Sequence, residues 1–216
     1  VIGGYVQANY AVYEAFDDPV SVINCEFENA NQLVLRNQAM ELPAGVQTAR
    51  DFAPRGGKVV FQTYVYLPEN SAGRIRLSDG GQELFAVEMH DGAFRAADAE
   101  LKAYSDKLWY HLRLEADLDA HTVTVKVNHQ TKGTFALPEN ITALNRFELV
   151  NTGDTEIGFD DLQVFDLMDY DVPAPVVPEK ENDYILGMNV CSLWRNGEHF
   201  GWSAITPYDD LKSVLG

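Results

Sequence analysis

Glu115, Asp117 and Asp119 are carboxylates at alternate positions, and along an extended strand alternate side chains share one face. Two carboxyl groups about 5 Å apart can divide the labour of glycoside cleavage, one as nucleophile and the other as acid and base. The same run ends in Asp117-Leu-Asp-Ala-His121, which reads as a hairpin turn, where acidic side chains are ordinary. Catalysis and a solvated strand end are therefore both open readings of this trio.

A second set of residues offers binding chemistry. Tyr64 and Tyr66, Arg74 and Arg76, Glu88 and His90, and His111 and Arg113 each recur at a spacing of two, and are expected on the polar faces of neighbouring strands. An aromatic ring gives a flat apolar surface for the C–H face of a pyranose, and arginine, glutamate and histidine give directional hydrogen bonds to hydroxyls. Arginine enrichment would also suit an acidic or sulfated glycan, against the overall negative charge. The plainer reading is a wet sheet face with cross-strand ion pairs such as Arg76 with Glu88.

Other chemistry is not supported. His90, His111, His121, His129 and His199 show no paired metal spacing. Cys25 and Cys191 stand in different segments and give neither a disulfide framework nor a metal knuckle. Asp79-Gly80-Gly81 opens no helix, so it reads as a turn and not a phosphate cradle.

The elements that would position these residues are strands. Val59, Phe61, Thr63, Val65 and Leu67 alternate with Val60, Gln62, Tyr64 and Tyr66. Leu108 to Glu115 and Thr122 to Asn128 alternate in the same way across the Asp117–His121 turn. Further strands are expected at 74–78, 83–89, 93–97, 133–137, 146–150 and 157–165. Clusters such as His90-Asp91-Gly92 and Asn151-Thr-Gly-Asp154 separate them at the spacing of an antiparallel sandwich. The fold class is all-β, two packed antiparallel sheets over residues 1–168.

The composition agrees with one large β domain plus an appendage. A chain of 216 residues can bury a sufficient core without disulfides or metal. Its net charge of −17 repels nucleic acid and anionic membrane surfaces. No run approaches the ~18 apolar residues of a membrane helix, and no leader pattern opens the sequence, so no bilayer anchor is expected. Val1 at the first position fits a processed secreted protein or a segment of a longer one. Residues 169–183 carry three prolines and five acidic residues and read as an extended linker. Residues 184–216 read as a strand to Leu193, a polar loop from Trp194 to Trp202 and a helix opened by Thr206-Pro207, a βα fragment that stops just inside a second domain.

Ala49 to Gly57 leading into Lys58 to Tyr66, then Leu108 to Asp117, Val123 to Asn128 and the closing Ile157-Gly-Phe-Asp-Asp-Leu-Gln-Val-Phe165 together resemble the concanavalin A-like lectins and glucanases, in their laminin-G-like branch. The resemblance implies a jelly roll with one concave and one convex sheet. It also implies a structural calcium joining the first and last strands, with Asp160 the best match and Glu14 and Asp17 weaker ones. The family's closing glutamate on the strand of Glu115 is missing here.

The tail, Leu186-Gly-Met-Asn-Val-Cys-Ser-Leu-Trp-Arg-Asn196 through Thr206-Pro-Tyr-Asp-Asp-Leu211, is similar to the opening of a (β/α)₈ barrel of glycoside hydrolase family 99. Residues 1–168 would then be a noncatalytic, secreted or cell-surface carbohydrate-binding module, with a polysaccharide and a C-terminal catalytic domain as partners. A sandwich glucanase or lyase and a purely structural spacer are the alternatives.

Overall fold

A computed structural model describes residues 9–18 and 27–167 in full, together with the backbone of 193–195 and 198–200. The chain separates into two units, Val1–Asp169 and Tyr170–Gly216. In the first unit the strands are β1 Tyr10–Glu14, β2 Val34–Arg36, β3 Ala39–Leu42, β4 Gln47–Arg55, β5 Lys58–Leu67, β6 Gly73–Asp79, β7 Gln82–His90, β8 Ala93–Ala96, β9 Ala99–Ala103, β10 Leu108–Asp117, β11 Thr122–Val127, β12 Gln130–Ala136, β13 Leu144–Asn151 and β14 Ile157–Asp166. The single helical feature among the described residues is a 3-10 turn at Ala30–Gln32.

The strands form two antiparallel sheets. The eight-stranded sheet runs β12-β11-β10-β5-β14-β3-β2, with β1 also paired to β14, and the six-stranded sheet runs β4-β13-β6-β7-β8-β9. This is the expected jelly-roll sandwich. Five of its hairpins turn on two residues that both have positive φ: Asn37-Gln38, Gly80-Gly81, Asp91-Gly92, Ala97-Asp98 and Asn128-His129. Two such residues twist with the strands they join, so they fix register. The strands β1, β2, β3, β4 and β9 extend beyond the expected set, and β9 shows why it escaped: it has no buried residue, so it carries no alternation.

Between the sheets lies one apolar core. Phe61, Val65, Leu112 and Phe159 reach it from the larger sheet, and Ile75, Val87, Phe147 and Leu149 from the smaller. Phe147 is the hub, with ring centroids 5.4 Å from Phe61, 5.8 Å from Phe27 and 6.4 Å from Phe52. Asn151 is the polar tie: its Nδ2 donates to the Leu42 carbonyl at 2.8 Å and the Thr155 carbonyl at 2.7 Å, and its Oδ1 accepts from Gly153 N at 3.0 Å. Every polar atom of that buried side chain is satisfied, as burial demands.

The linker at 169–183, the strand from 184 and the helix at 206–215 lie outside the described residues. From the last residue of that expected strand into the expected loop, the backbone of β15, Leu193–Arg195, pairs antiparallel with β16, Glu198–Phe200.

Candidate functional site

The eight residues expected to share one polar surface divide between the two sheets. Tyr64, Tyr66, His111 and Arg113 stand on β5 and β10, which are hydrogen-bonded neighbours in the larger sheet. Arg74, Arg76, Glu88 and His90 stand on β6 and β7, neighbours in the smaller one. The segment from Pro68 to Ala72 carries the chain from one sheet to the other, and period-two alternation is the same on both sides of such a crossing. Alternation reports a face, not a sheet.

On the smaller sheet the outward side chains neutralise one another. Arg74 Nη2 lies 2.8 Å from Glu83, and Arg74 Nε lies 3.8 Å from Glu88. His90 contacts Glu88 at 3.5 Å and Asp91 at 3.0 Å. Arg76 stands opposite Ala86, so the expected pair with Glu88 does not form; it meets Glu148 at 3.2 Å instead. Arg146 continues the ladder through Glu148, Asp51 and Glu28. The arginine–carboxylate pairs among these are partly exposed, and their charges are already matched.

The outward face of the larger sheet is built in rows. Gly158, Tyr66 and Trp109 are in register across β14, β5 and β10; Asp160, Tyr64 and His111 form the next row, and Gln163, Gln62 and Arg113 the third. Trp109 is 45% exposed and its ring lies 5.4 Å from that of Tyr66. A glycine beneath makes this seat: a Cβ on Gly158 would come 3.0 Å from Tyr66 Cβ and 3.3 Å from Trp109 Cη2.

In the second row Tyr64, 37% exposed, covers His111, with ring centroids 5.0 Å apart. His111 is only 7% exposed, and its Nδ1 has no hydrogen-bond partner. Burial, and then the nearby charges of His129 and Arg113, lower its pKa from 6.5 to about 4, so the imidazole is neutral at physiological pH. His129 reaches it from the Asn128-His129 turn. That turn is pinned to β10 twice, by His111 N donating to Asn128 Oδ1 at 3.0 Å and by Asn128 N donating to the His111 carbonyl at 2.8 Å.

The third row is a lattice of hydrogen bonds. Gln62 Nε2 donates to Gln163 Oε1 at 2.8 Å, Arg113 Nη1 donates to Gln62 Oε1 at 2.7 Å, and Glu115 Oε1 accepts from Arg113 Nε at 2.6 Å and Lys126 Nζ at 2.8 Å. Burial alone would raise Glu115, but the bonds from Lys126 and Arg113 outweigh it and hold the carboxyl below its usual range. The second and third rows floor a depression of about 540 Å³, whose charged lining is Arg113, Lys126, Glu115 and Asp161. Two cations face two anions there. Asp117 serves the turn, its Oδ1 accepting from Ala120 N at 2.9 Å.

The residues expected to hold calcium assemble only in part. Burial, reinforced by the charges of Asp161 and Asp17, raises Asp160 above the usual carboxylate range. Glu14 is instead ion-paired to Arg50. Among the described residues no three His, Cys, Asp or Glu side chains converge as a metal cage, and no helix is long and apolar enough to cross a membrane.

Trp109, His129, Gln62, Gln163 and Asp161 enlarge the site beyond the sequence-predicted set. Trp109 alternates with the core residues in step with His111 and Arg113, which places it on their face. The asparagine before His129 is a residue type that tolerates positive φ, the one local sign of the hairpin.

No protein-family model and no curated protein matches the chain. Among solved structures it is similar to a sialidase, with a TM-score of 0.57 at 13% identity over 73% of this chain. That alignment spans only 19% of the sialidase. It is also similar to the carbohydrate recognition domain of Emp46p, with a TM-score of 0.56 at 6% identity for a mutant form and 0.53 at 8% for a metal-free form. Both alignments cover 76% of this chain and 100% of that domain. What these identities establish is the shared sandwich.

Proposed function

We propose that the sandwich binds a glycan noncatalytically on the outward face of the eight-stranded sheet, as an accessory module of a larger, secreted or cell-surface glycoside hydrolase. The observation that carries this reading is the exposed ring of Trp109, set beside Tyr66 and Tyr64 and bordered by the Gln163–Gln62–Arg113 lattice. Flat rings supply stacking area and the amides and guanidinium supply directed hydrogen bonds, the two things a sugar ring presents surfaces for. The likeness to a carbohydrate recognition domain supports the fold required. The similarity of residues 186–211 to a glycosidase barrel supports the context.

Catalysis has less behind it. Glu115 is held ionised by two cations, so it is not poised to donate a proton to a leaving group, and Asp117 is engaged in capping a turn.

The test is a glycan array followed by calorimetry on the full chain and on Trp109→Ala. We expect binding to at least one polysaccharide, about a tenfold loss of affinity in the variant, as one stacking contact provides, and no release of reducing ends. Absence of binding across the array would overturn the reading in favour of a structural spacer, and reducing-end release lost in Glu115→Gln would overturn it in favour of a hydrolase.

A further inference from the structure

A second aromatic cluster lies on the same face, where β1 flanks β14 beside the third row and one row beyond it. Phe165 of β14 stands in register with Val60 of β5, one row beyond Gln62. Tyr10 of β1 pairs with Phe165, their ring centroids 5.5 Å apart, and Tyr13 lies 5.3 Å from Tyr10. A register shift between Tyr10 and Val12 turns both tyrosines outward while Val12 stays in the core. They are 45% and 54% exposed. Arg113 joins this cluster to the centre, its guanidinium 5.5 Å from the Phe165 ring centroid.

From the row of Trp109 and Tyr66 to the row of Phe165 and Tyr10 is roughly 20 Å along the strands at about 3.3 Å per residue, and β1 stands three strands across from β10 at roughly 4.8 Å per strand. The face therefore presents rings at both ends, Trp109 and Tyr66 at one and Phe165, Tyr10 and Tyr13 at the other. Between them lie amides, a neutral imidazole with an unpartnered buried Nδ1, and a charge-balanced floor. A monosaccharide is too short to touch both clusters. A charged sugar would find its complement already taken, because Arg113 and Lys126 are both bound to Glu115.

Resting on the proposed glycan binding, we propose that the ligand is an uncharged linear glycan held by an internal stretch of its chain, crossing β10, β5 and β14 obliquely and stacking at one end on Trp109 and at the other on Tyr10 and Tyr13. The two clusters act as separate subsites joined by one chain, so occupying the second is intramolecular and adds to affinity without a new encounter.

The experiment is calorimetry of the full chain with β-1,4-glucan, β-1,3-glucan, xylan, mannan and galactan oligosaccharides, each from disaccharide to hexasaccharide, and with sulfated and uronic-acid chains of equal length. In the series that binds, affinity is expected to rise about tenfold or more between the disaccharide and the hexasaccharide, one further stacking contact. Tyr10→Ala with Tyr13→Ala should abolish that gain, so that the hexasaccharide binds no more tightly than the disaccharide, and both residues are exposed enough for the variant to fold. Tyr10→Phe with Tyr13→Phe should restore the gain. Equal affinity for disaccharide and hexasaccharide, or preference for the sulfated or uronic chains, would overturn this proposal while leaving glycan binding intact. Failure of every oligosaccharide to bind would overturn both.

Discussion

The ring of His129 lies flat against that of His111, centroids 4.5 Å apart and planes 26° from parallel. Burial first, and then the charge of the stacked His129, disfavour a proton on His111.

His111 makes stability depend on acid. Its folded pKa of about 4 lies below the ordinary 6.5, so between those values the unfolded chain binds a proton that the folded chain refuses. Its contribution is fully present above about pH 6.5 and is lost as the pH falls toward 4, up to roughly 2–3 kcal/mol. Urea denaturation between about pH 7 and pH 4 should show this decline, with a smaller decline in His111→Phe. Parallel declines in the two proteins would remove His111 as its source.

Gly158 is the floor on which Trp109 rests. Gly158→Val should push the indole off its seat, changing tryptophan emission and lowering glycan affinity by about tenfold. Stability should fall by about 1–3 kcal/mol, because the exposed indole can move but Tyr66 Cβ, 3.0 Å from the added carbon, is fixed to its strand. Unchanged emission and affinity would mean that the ring is held by something other than this row.

Arg74 and Arg76 stand on the smaller sheet, away from the proposed binding surface. Arg74→Ala and Arg76→Ala should leave affinity within about twofold of the parent and cost about 1 kcal/mol or less in stability, since partly exposed ion pairs contribute little. A large loss of affinity measured by calorimetry would move the ligand to the smaller sheet.

Asn151 ties its strand to Leu42 of the other sheet and to Thr155 of the following loop through two carbonyls. Asn151→Asp keeps the shape but sets an anion against the oxygens of Leu42 and Thr155, and should destabilise by about 3 kcal/mol or more at neutral pH. Thermal melts should show partial recovery in acid, as the carboxyl takes up a proton. A melting temperature equal to the parent's would show that the side chain can turn away.

Alternation alone placed the two faces of β5: Phe61 and Val65 are buried and Tyr64 half-exposed. Glycine-rich clusters marked the turns at Gly80-Gly81 and Asp91-Gly92. Which sheet each strand joins was not legible, because Arg74 and Tyr64 have the same polar, period-two surroundings and differ only in a crossover. The first strand was hidden by its bulge, which puts Tyr10 and Tyr13 on one side at a spacing no regular strand shows. His129 was invisible for a related reason: it reaches His111 through a hairpin register, not through its own neighbours.

β1 and β14 lie side by side, with Asp166 N bonded to the Asn9 carbonyl and Asn9 Nδ2 to Asp166 Oδ2. Because these strands are antiparallel and Asn9 stands beside Asp166, a pull applied through those two residues loads the ladder one rung at a time, as in peeling tape, and not all rungs together. The first strand to come away would be the one that carries Tyr10 and Tyr13. Traction through this pair of strands would thus shorten the stacked track from one end while Trp109, anchored mid-sheet on β10, keeps its place.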